Sequence, residues 1–213
     1  MSVWQMLPVG PTLGDRSPYQ NSSTHAGDPL LIDLEPLVAA GWLPELPDDD
    51  GIAAKTTALA QAWRGFQARA TDAERLALVT FAQENGYWLP DYALFRALGE
   101  ECQAGWWQWP VTLRDRKPQA LNQAHTRLAP QIQVIVFEQF LFFSQWQGLR
   151  VYAAGRGIKL FGDMPIFVAQ DSAEVWAHPQ DFDLNPDGSP RVVAGVPPDY
   201  FSATGQRWGK IGR

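Results

Sequence analysis

A long helical block fills the middle of the sequence and limits the folds that this chain can adopt. Residues 53–157 are rich in alanine, and their apolar residues recur at helical spacing between clear start and stop signals. Short extended apolar segments flank the block at residues 2–7 and 157–166. The second of these segments is predicted to be a buried strand. We therefore expect strands on either side of a helical region, which indicates an α/β fold.

Two signals divide the helical block into separate helices. Thr71 and Glu74 have the spacing of a capping box, in which each side chain bonds the backbone amide of the other residue, and this predicts a helix over residues 72–84. The stretch 118–154 predicts one long helix or two in tandem, with Pro130 as the break because proline lacks an amide donor. Further along the chain, Ser172 predicts the cap of a short helix that runs through residue 177.

Composition and charge argue against several classes of protein. The chain has 213 residues, of which 46% are hydrophobic, enough to bury a core. Its net charge of -6 argues against a nucleic-acid surface, and no apolar run is long enough to span a bilayer. The single cysteine, Cys102, excludes an internal disulfide and fits a reducing compartment. We expect a cytoplasmic protein with neither nucleic acid nor membrane as a partner, and the oligomeric state is left open.

The stretch at residues 194–209 combines ring faces and hydrogen-bonding groups without a helical or strand period. Sugars suit that mixture, because their C–H faces stack on aromatic rings while their hydroxyls need paired hydrogen bonds. The rings belong to Tyr200, Phe201 and Trp208. The donors and acceptors belong to Asp199, Ser202, Thr204, Gln206 and Arg207.

Motifs for other chemistries are incomplete. The acidic residues at 181–188 resemble a calcium loop, but Pro186 and Val192 replace the glycine and glutamate that such a loop requires, so an Asn-Pro-Asp-Gly turn is expected. The three histidines have no metal-ligand spacing, and neither a metal nor a cofactor is predicted. Asp163 is a better candidate for a residue of a functional site. It follows a predicted strand, and parallel α/β barrels place their ligand-binding groups at the ends of their strands.

Three segments together resemble consecutive motifs of the amylomaltases, the 4-alpha-glucanotransferases of glycoside hydrolase family 77. They are GPTLGDRSPYQNSSTHAGDPLLIDLE at 10–35, GIKLFGDMPIFVAQDSAEVWA at 157–177 and AGVPPDYFSATGQRWG at 194–209. The resemblance implies a partial (β/α)8 TIM barrel with a helical insertion subdomain. Residues 1–50 would hold a first barrel strand and sugar-cleft loop, 51–156 the helical insertion and a barrel helix, and 157–213 a barrel strand and covering loop, with the barrel truncated at both ends.

The resemblance also implies an activity and a set of binding residues. The family transfers segments of α-1,4-glucan to glucose or a maltooligosaccharide by a retaining double displacement, so α-1,4-glucan oligosaccharides are the implied partners. Tyr19 matches a tyrosine of the sugar cleft, and Asp163 matches a carboxylate near the sugar at the cleavage point. The loop over the active site is matched by Asp199, Tyr200, Phe201, Ser202, Gln206 and Trp208. No catalytic residue is assigned, because the family's nucleophile and general acid are expected downstream of Arg213.

Two other functions remain open at this point. A non-catalytic α-glucan-binding protein could retain the sugar loops without the reacting carboxylates. A purely structural helical partner protein ranks last, because it leaves the polar and aromatic loop at residues 194–209 unexplained.

Overall fold

The structure is a computed structural model, which describes residues 2–198, 200, 202–207 and 210–211. Its helices are α1 (Glu35–Ala39), α2 (Ile52–Arg69), α3 (Asp72–Glu84), α4 (Leu89–Cys102), α5 (Val111–Arg114), α6 (Pro118–Arg127), α7 (Ala129–Gly155) and α8 (Ala173–Ala177). Its strands are β1 (Val3–Gln5), β2 (Lys159–Phe161), β3 (Val168–Ala169), β4 (Gly195–Val196), β5 (Gln206–Arg207) and β6 (Lys210–Ile211). Short 3-10 turns occupy Pro29–Leu31, Trp106–Gln108 and Pro179–Asp181.

The helix signals of the sequence are confirmed. Thr71 caps α3, its side chain accepts from the Glu74 amide, and the Glu74 carboxylate accepts from the Thr71 amide. The long stretch divides into α6 and α7 beside Pro130, which sits in the first turn of α7. Ser172 caps α8, accepting from the amide of Val175. No helix in the described part of the chain is both long enough and apolar enough to cross a membrane.

The first strand and the strand after the helical block pair in parallel. Val3, Trp4 and Gln5 lie opposite Lys159, Leu160 and Phe161. Parallel strands need a long crossover, and here the crossover contains α1 to α7. The α/β class is therefore confirmed, whereas closure into a (β/α)8 barrel and the division at residues 50 and 156 stay predictions.

The expectation of a buried strand at residues 157–166 is wrong. Regular pairing covers only β2, whose Lys159 and Phe161 are exposed while Leu160 is half-buried. β1 is exposed along its whole length, and within the described residues the β1–β2 sheet has two strands. A parallel sheet is normally covered by other elements on both faces. The side chains of β1 and β2 are therefore more exposed than we expected from their apolar character.

The C-terminal region contains short antiparallel pairs. β3 pairs with β6, and β4 pairs with β5 inside the stretch that showed no strand period. The period was invisible because each of these strands has only two residues. The Asn185-Pro-Asp-Gly turn is confirmed, since the Gly188 amide donates to the Asn185 carbonyl at 2.9 Å and Gly188 has a φ of 82°.

Two hydrophobic clusters form the core. One surrounds α4, with Leu94, Leu98 and Trp176 fully or almost fully buried. The other joins α2 to α7 and to the segment before α2, through residues such as Phe66 and Phe137. Between α4 and α7, the buried Glu138 carboxylate accepts from Arg96 at 2.8 Å. Burial raises the pKa of Glu138, which Arg96 opposes by stabilising the charged form.

Two glutamines of α7 hold the chain that leads from β1 to α1. The Gln139 side chain is fully buried, accepts from the Gly27 amide at 2.8 Å and donates to the Gly27 carbonyl at 2.9 Å. Gln145 bonds the amide and carbonyl of the exposed Asp33 in the same way, both at 2.8 Å. A Cβ at Gly27 would lie 2.0 Å from the Phe142 ring, so the close approach to α7 requires glycine.

We expect Gln139→Leu to lower the free energy of unfolding by about 2–4 kcal/mol, because it leaves the buried amide and carbonyl of Gly27 without partners. Urea unfolding followed by circular dichroism measures the change. Gln145→Leu is the matched control and should cost less than about 1 kcal/mol, because water can reach Asp33. Equal losses for the two variants would contradict this account of the Gln139 contact.

Candidate functional site

A cavity of about 290 Å³ lies where the loop after β1, the middle of α7 and the segment after β2 meet. Its volume is close to the lower end of the range for small-molecule sites, roughly 300–1,000 Å³. Polar and aromatic side chains both contribute to its wall. The main contributors are Tyr19, Asn21, Ser23, Thr24, His25, Phe142, Phe143, Trp146, Asp163 and Phe167.

The loop after β1 is shaped by its own backbone hydrogen bonds. Thr12 and Asn21 form an antiparallel bridge, and the Leu13 amide donates to the Gln20 carbonyl at 2.9 Å. At the tip, the Gln20 amide donates to the Ser17 carbonyl at 2.9 Å, which closes a turn. This small hairpin presents Tyr19 at its end, with 36% of the residue exposed.

The structure brings Tyr19 and Asp163 together although 144 positions separate them in the sequence. The Tyr19 hydroxyl donates to Oδ2 of Asp163 at 2.8 Å. The reason is the parallel pairing of β1 with β2, which puts the segments that follow the two strands at the same edge. The hydrogen bond to the Asp163 carboxylate raises the pKa of Tyr19, with smaller contributions from burial and from the carboxylate charge.

Glu174 at the start of α8 anchors the loop from the other side. Its Oε1 accepts from the Ser23 hydroxyl at 2.6 Å and from the Thr24 amide at 3.0 Å. The Ala173 amide also donates to the Ser22 carbonyl at 2.9 Å. With Gln139 holding Gly27, residues 22–27 are bonded to both α7 and α8, so the cavity wall is held by regular elements.

Sequence reasoning missed Asn21 and Trp146. Oδ1 of Asn21 is buried in the cavity wall and has no hydrogen-bond partner among the described residues. Buried acceptors are normally hydrogen-bonded, so a ligand or a water molecule is the expected partner of this oxygen. Asn21 lies in the polar stretch beside Tyr19, which was a usable signal, whereas Trp146 lies within α7 and was indistinguishable from a core residue.

The loop at residues 194–209 is described only in part. Asp199, Phe201 and Trp208 lie outside the described residues. Tyr200 is 98% exposed, the Ser202 hydroxyl donates to the Gly205 carbonyl at 2.7 Å, and Gln206 belongs to β5. Among its described members, none lines the 290 Å³ cavity, so a role over the site stays a prediction. The described side chains also provide no group of three or more histidine, cysteine or acidic residues placed for a metal ion.

The comparisons with known proteins identify the family. A sequence profile of glycoside hydrolase family 77, described as 4-alpha-glucanotransferase, matches residues 1–211. The chain belongs to this 4-alpha-glucanotransferase family. The resemblance of the three sequence segments is therefore confirmed at the level of the family.

Two curated 4-alpha-glucanotransferases show how much of the family's length is present. The Thermus thermophilus protein is 50% identical over 216 residues, which cover 97% of this chain and 43% of the relative. The Synechocystis protein is 44% identical over 223 residues, covering 98% of this chain and 44% of the relative. The chain spans less than half the length of the curated relatives that it matches.

The fold is also similar to a solved member of the family. The amylomaltase from Streptococcus agalactiae in complex with acarbose has a TM-score of 0.91 and 34% identity to this chain. The match covers 99% of this chain and 45% of the amylomaltase. The α/β arrangement described above is therefore similar to that of the matching part of this amylomaltase.

We expect Tyr19 to titrate above the usual tyrosine pKa of about 10 and to return towards that value in Asp163→Ala. Ionisation of Tyr19 loses the hydrogen bond, so its contribution to stability is present at lower pH and is lost as the pH rises through the raised pKa. Alkaline absorbance titration, with Tyr19→Phe subtracted, measures this pKa. Asp48→Ala, at an exposed loop position outside the cavity, is the control. An unchanged Tyr19 titration in Asp163→Ala would refute the assignment.

Proposed function

We propose that this chain forms one wall of the α-1,4-glucan-binding cleft of a 4-alpha-glucanotransferase. The observation that carries the proposal is the hydrogen bond between Tyr19 and Asp163 at the mouth of the cavity. The family assignment supports it, as does the acarbose complex of the Streptococcus agalactiae relative.

The proposed roles follow from the donors and acceptors of the wall. A carboxylate offers about four lone-pair positions, and the Tyr19 hydroxyl occupies one on Oδ2 of Asp163, so other positions are available to sugar hydroxyls. Oδ1 of Asn21 is a further acceptor for a hydroxyl. The rings of Phe143 and Trp146 provide apolar surface for the C–H face of a sugar. Tyr19 and Asp163 therefore bind and orient the glucan.

The proposed reaction is the transfer of an α-1,4-glucan segment by retaining double displacement. That chemistry needs a nucleophilic carboxylate and a general acid about 5–5.5 Å apart. Asp163 is the single carboxylate among the described residues that line the cavity, so we assign it to binding and assign neither reacting group to this chain.

The loop at residues 194–209 completes the proposed cleft. Tyr200 is exposed, and the sequence places Phe201 and Trp208 in the same loop, so the loop contains aromatic residues of the kind that stack on a sugar. Asp199, Ser202 and Gln206 add hydrogen-bonding groups. Covering the glucan in this way excludes water, which favours a sugar acceptor over hydrolysis.

Acarbose binding tests the proposed cleft. Titration calorimetry should show saturable binding to the chain, and Asp163→Asn should weaken it by about tenfold or more, because a hydrogen bond to a charged group contributes about 1.5–3 kcal/mol. Asp48→Asn makes the same change of charge at an exposed loop position outside the cavity and should bind like the unaltered chain. Saturable binding with equal affinity for Asp163→Asn would contradict the assigned role, and no binding would contradict the cleft.

A non-catalytic α-glucan-binding protein is the second candidate, favoured by the single carboxylate in the described cavity wall. A chimera separates the two functions: residues 1–211 of this chain replace the matching segment of the Thermus thermophilus relative. The proposed enzyme function predicts that the chimera converts maltotriose to glucose and longer maltodextrins. A folded chimera that binds acarbose without transfer would favour the binding protein.

A further inference from the structure

A second cavity, of about 700 Å³, lies on a different part of the molecule. The connection between α5 and α6 forms one side, and the segment from α8 to residue 191 forms the other. It shares no lining residue with the cavity of Tyr19 and Asp163. Nothing in the proposed glucan site uses this second cavity.

The wall of the second cavity carries more cations than carboxylates. Four cations and one carboxylate line it, namely Arg114, Arg116, Lys117, Arg191 and Asp115. Within the described part of the chain, Lys117 makes no ion pair. It directly precedes α6, whose first amides have no side-chain cap, so the positive end of that helix dipole adds to its charge.

The three arginines keep donors available for a ligand. Each makes one ion pair with a carboxylate: Arg114 with Asp115 at 2.8 Å, Arg116 with Asp91 at 2.5 Å, and Arg191 with Asp183 at 3.5 Å. A guanidinium has five N–H donors in a planar fork, and one ion pair uses only part of them. The remaining donors of the three arginines, all of which line this cavity, suit an anion with several oxygens.

Arg116 is held in an unusual way. Arg116 follows the end of α5 and has a φ of 52°, in the left-handed region. The Lys117 amide donates to the Thr112 carbonyl, which closes the end of the helix. Glycine is the usual residue at this left-handed position after a helix. Its guanidinium stacks over the buried Trp176 ring at 4.3 Å. Nη1 of Arg116 is buried with no hydrogen-bond partner among the residues described here. A buried donor of this kind is explained by an ordered water molecule, an ion or a ligand beside it.

We propose that the second cavity binds a phosphorylated sugar. The phosphate oxygens accept hydrogen bonds from Arg114, Arg116 and Arg191, since guanidinium groups match phosphate geometry. The volume exceeds the needs of a phosphate alone, and Phe182 and Leu184 provide apolar wall for the attached ring. The choice of a sugar rests on the proposed function, whereas the choice of an anion rests on the arginine and lysine donors of the wall.

Titration calorimetry with glucose 1-phosphate, inorganic phosphate and glucose tests the inference at low ionic strength. Glucose 1-phosphate should bind saturably, more tightly than either of the others. Arg114→Gln and Arg191→Gln should each weaken it by about tenfold, the usual effect of losing a charged hydrogen bond. The Arg191 side chain is 60% exposed, so its replacement does not endanger the fold. Arg150→Gln, on the exposed surface of α7, should bind as the unaltered chain does.

Three results would overturn the inference. Absence of saturable glucose 1-phosphate binding, or equal binding by Arg191→Gln, would exclude an anion site in this cavity. Inorganic phosphate binding as tightly as glucose 1-phosphate would exclude the choice of a sugar. Acarbose binding serves as the separating measurement, because Arg114→Gln and Arg191→Gln leave the cavity of Tyr19 and Asp163 intact. The result for acarbose binding and the result for glucose 1-phosphate binding can therefore be interpreted independently.

Discussion

The paired hydrogen bonds between Gln139 and Gly27 are the contact on which the candidate site depends. They fix the loop after β1 against α7 in a fully buried environment. Water cannot replace either hydrogen bond there if the other partner is removed. The glycine is required because the Phe142 ring occupies the space of a side chain. Once the loop is held there, its hairpin carries Tyr19 to the edge where β2 ends, and Asp163 completes the pair.

This arrangement separates the scaffold from the proposed binding surface. The scaffold consists of the long helix α7 and the short helix α8, which bond to residues 22–27 through Gln139 and Glu174. The proposed binding groups, Tyr19 and Asp163, lie on exposed segments after the two parallel strands. Binding groups in loops on a fixed scaffold are typical of α/β proteins.

The sequence was informative where local chemistry decides structure, as at the Thr71 capping box, the Ser172 cap and the Asn185 turn. It also indicated Tyr19 and Asp163 through resemblance. It could not show that the two meet, because contact across 144 positions depends on the pairing of β1 with β2. The exposure of β2 and the second cavity beside Arg116 were likewise invisible, since each depends on which distant segments pack together.

Amide hydrogen exchange at Gly27, followed by NMR, tests the central claim most directly. If Gln139 holds the loop, the Gly27 amide exchanges slowly in the unaltered chain and much faster in Gln139→Leu, while amides in the middle of α4 keep their protection. Fast exchange of the Gly27 amide in the unaltered chain, or slow exchange that survives Gln139→Leu, would contradict the claim that this contact shapes the site.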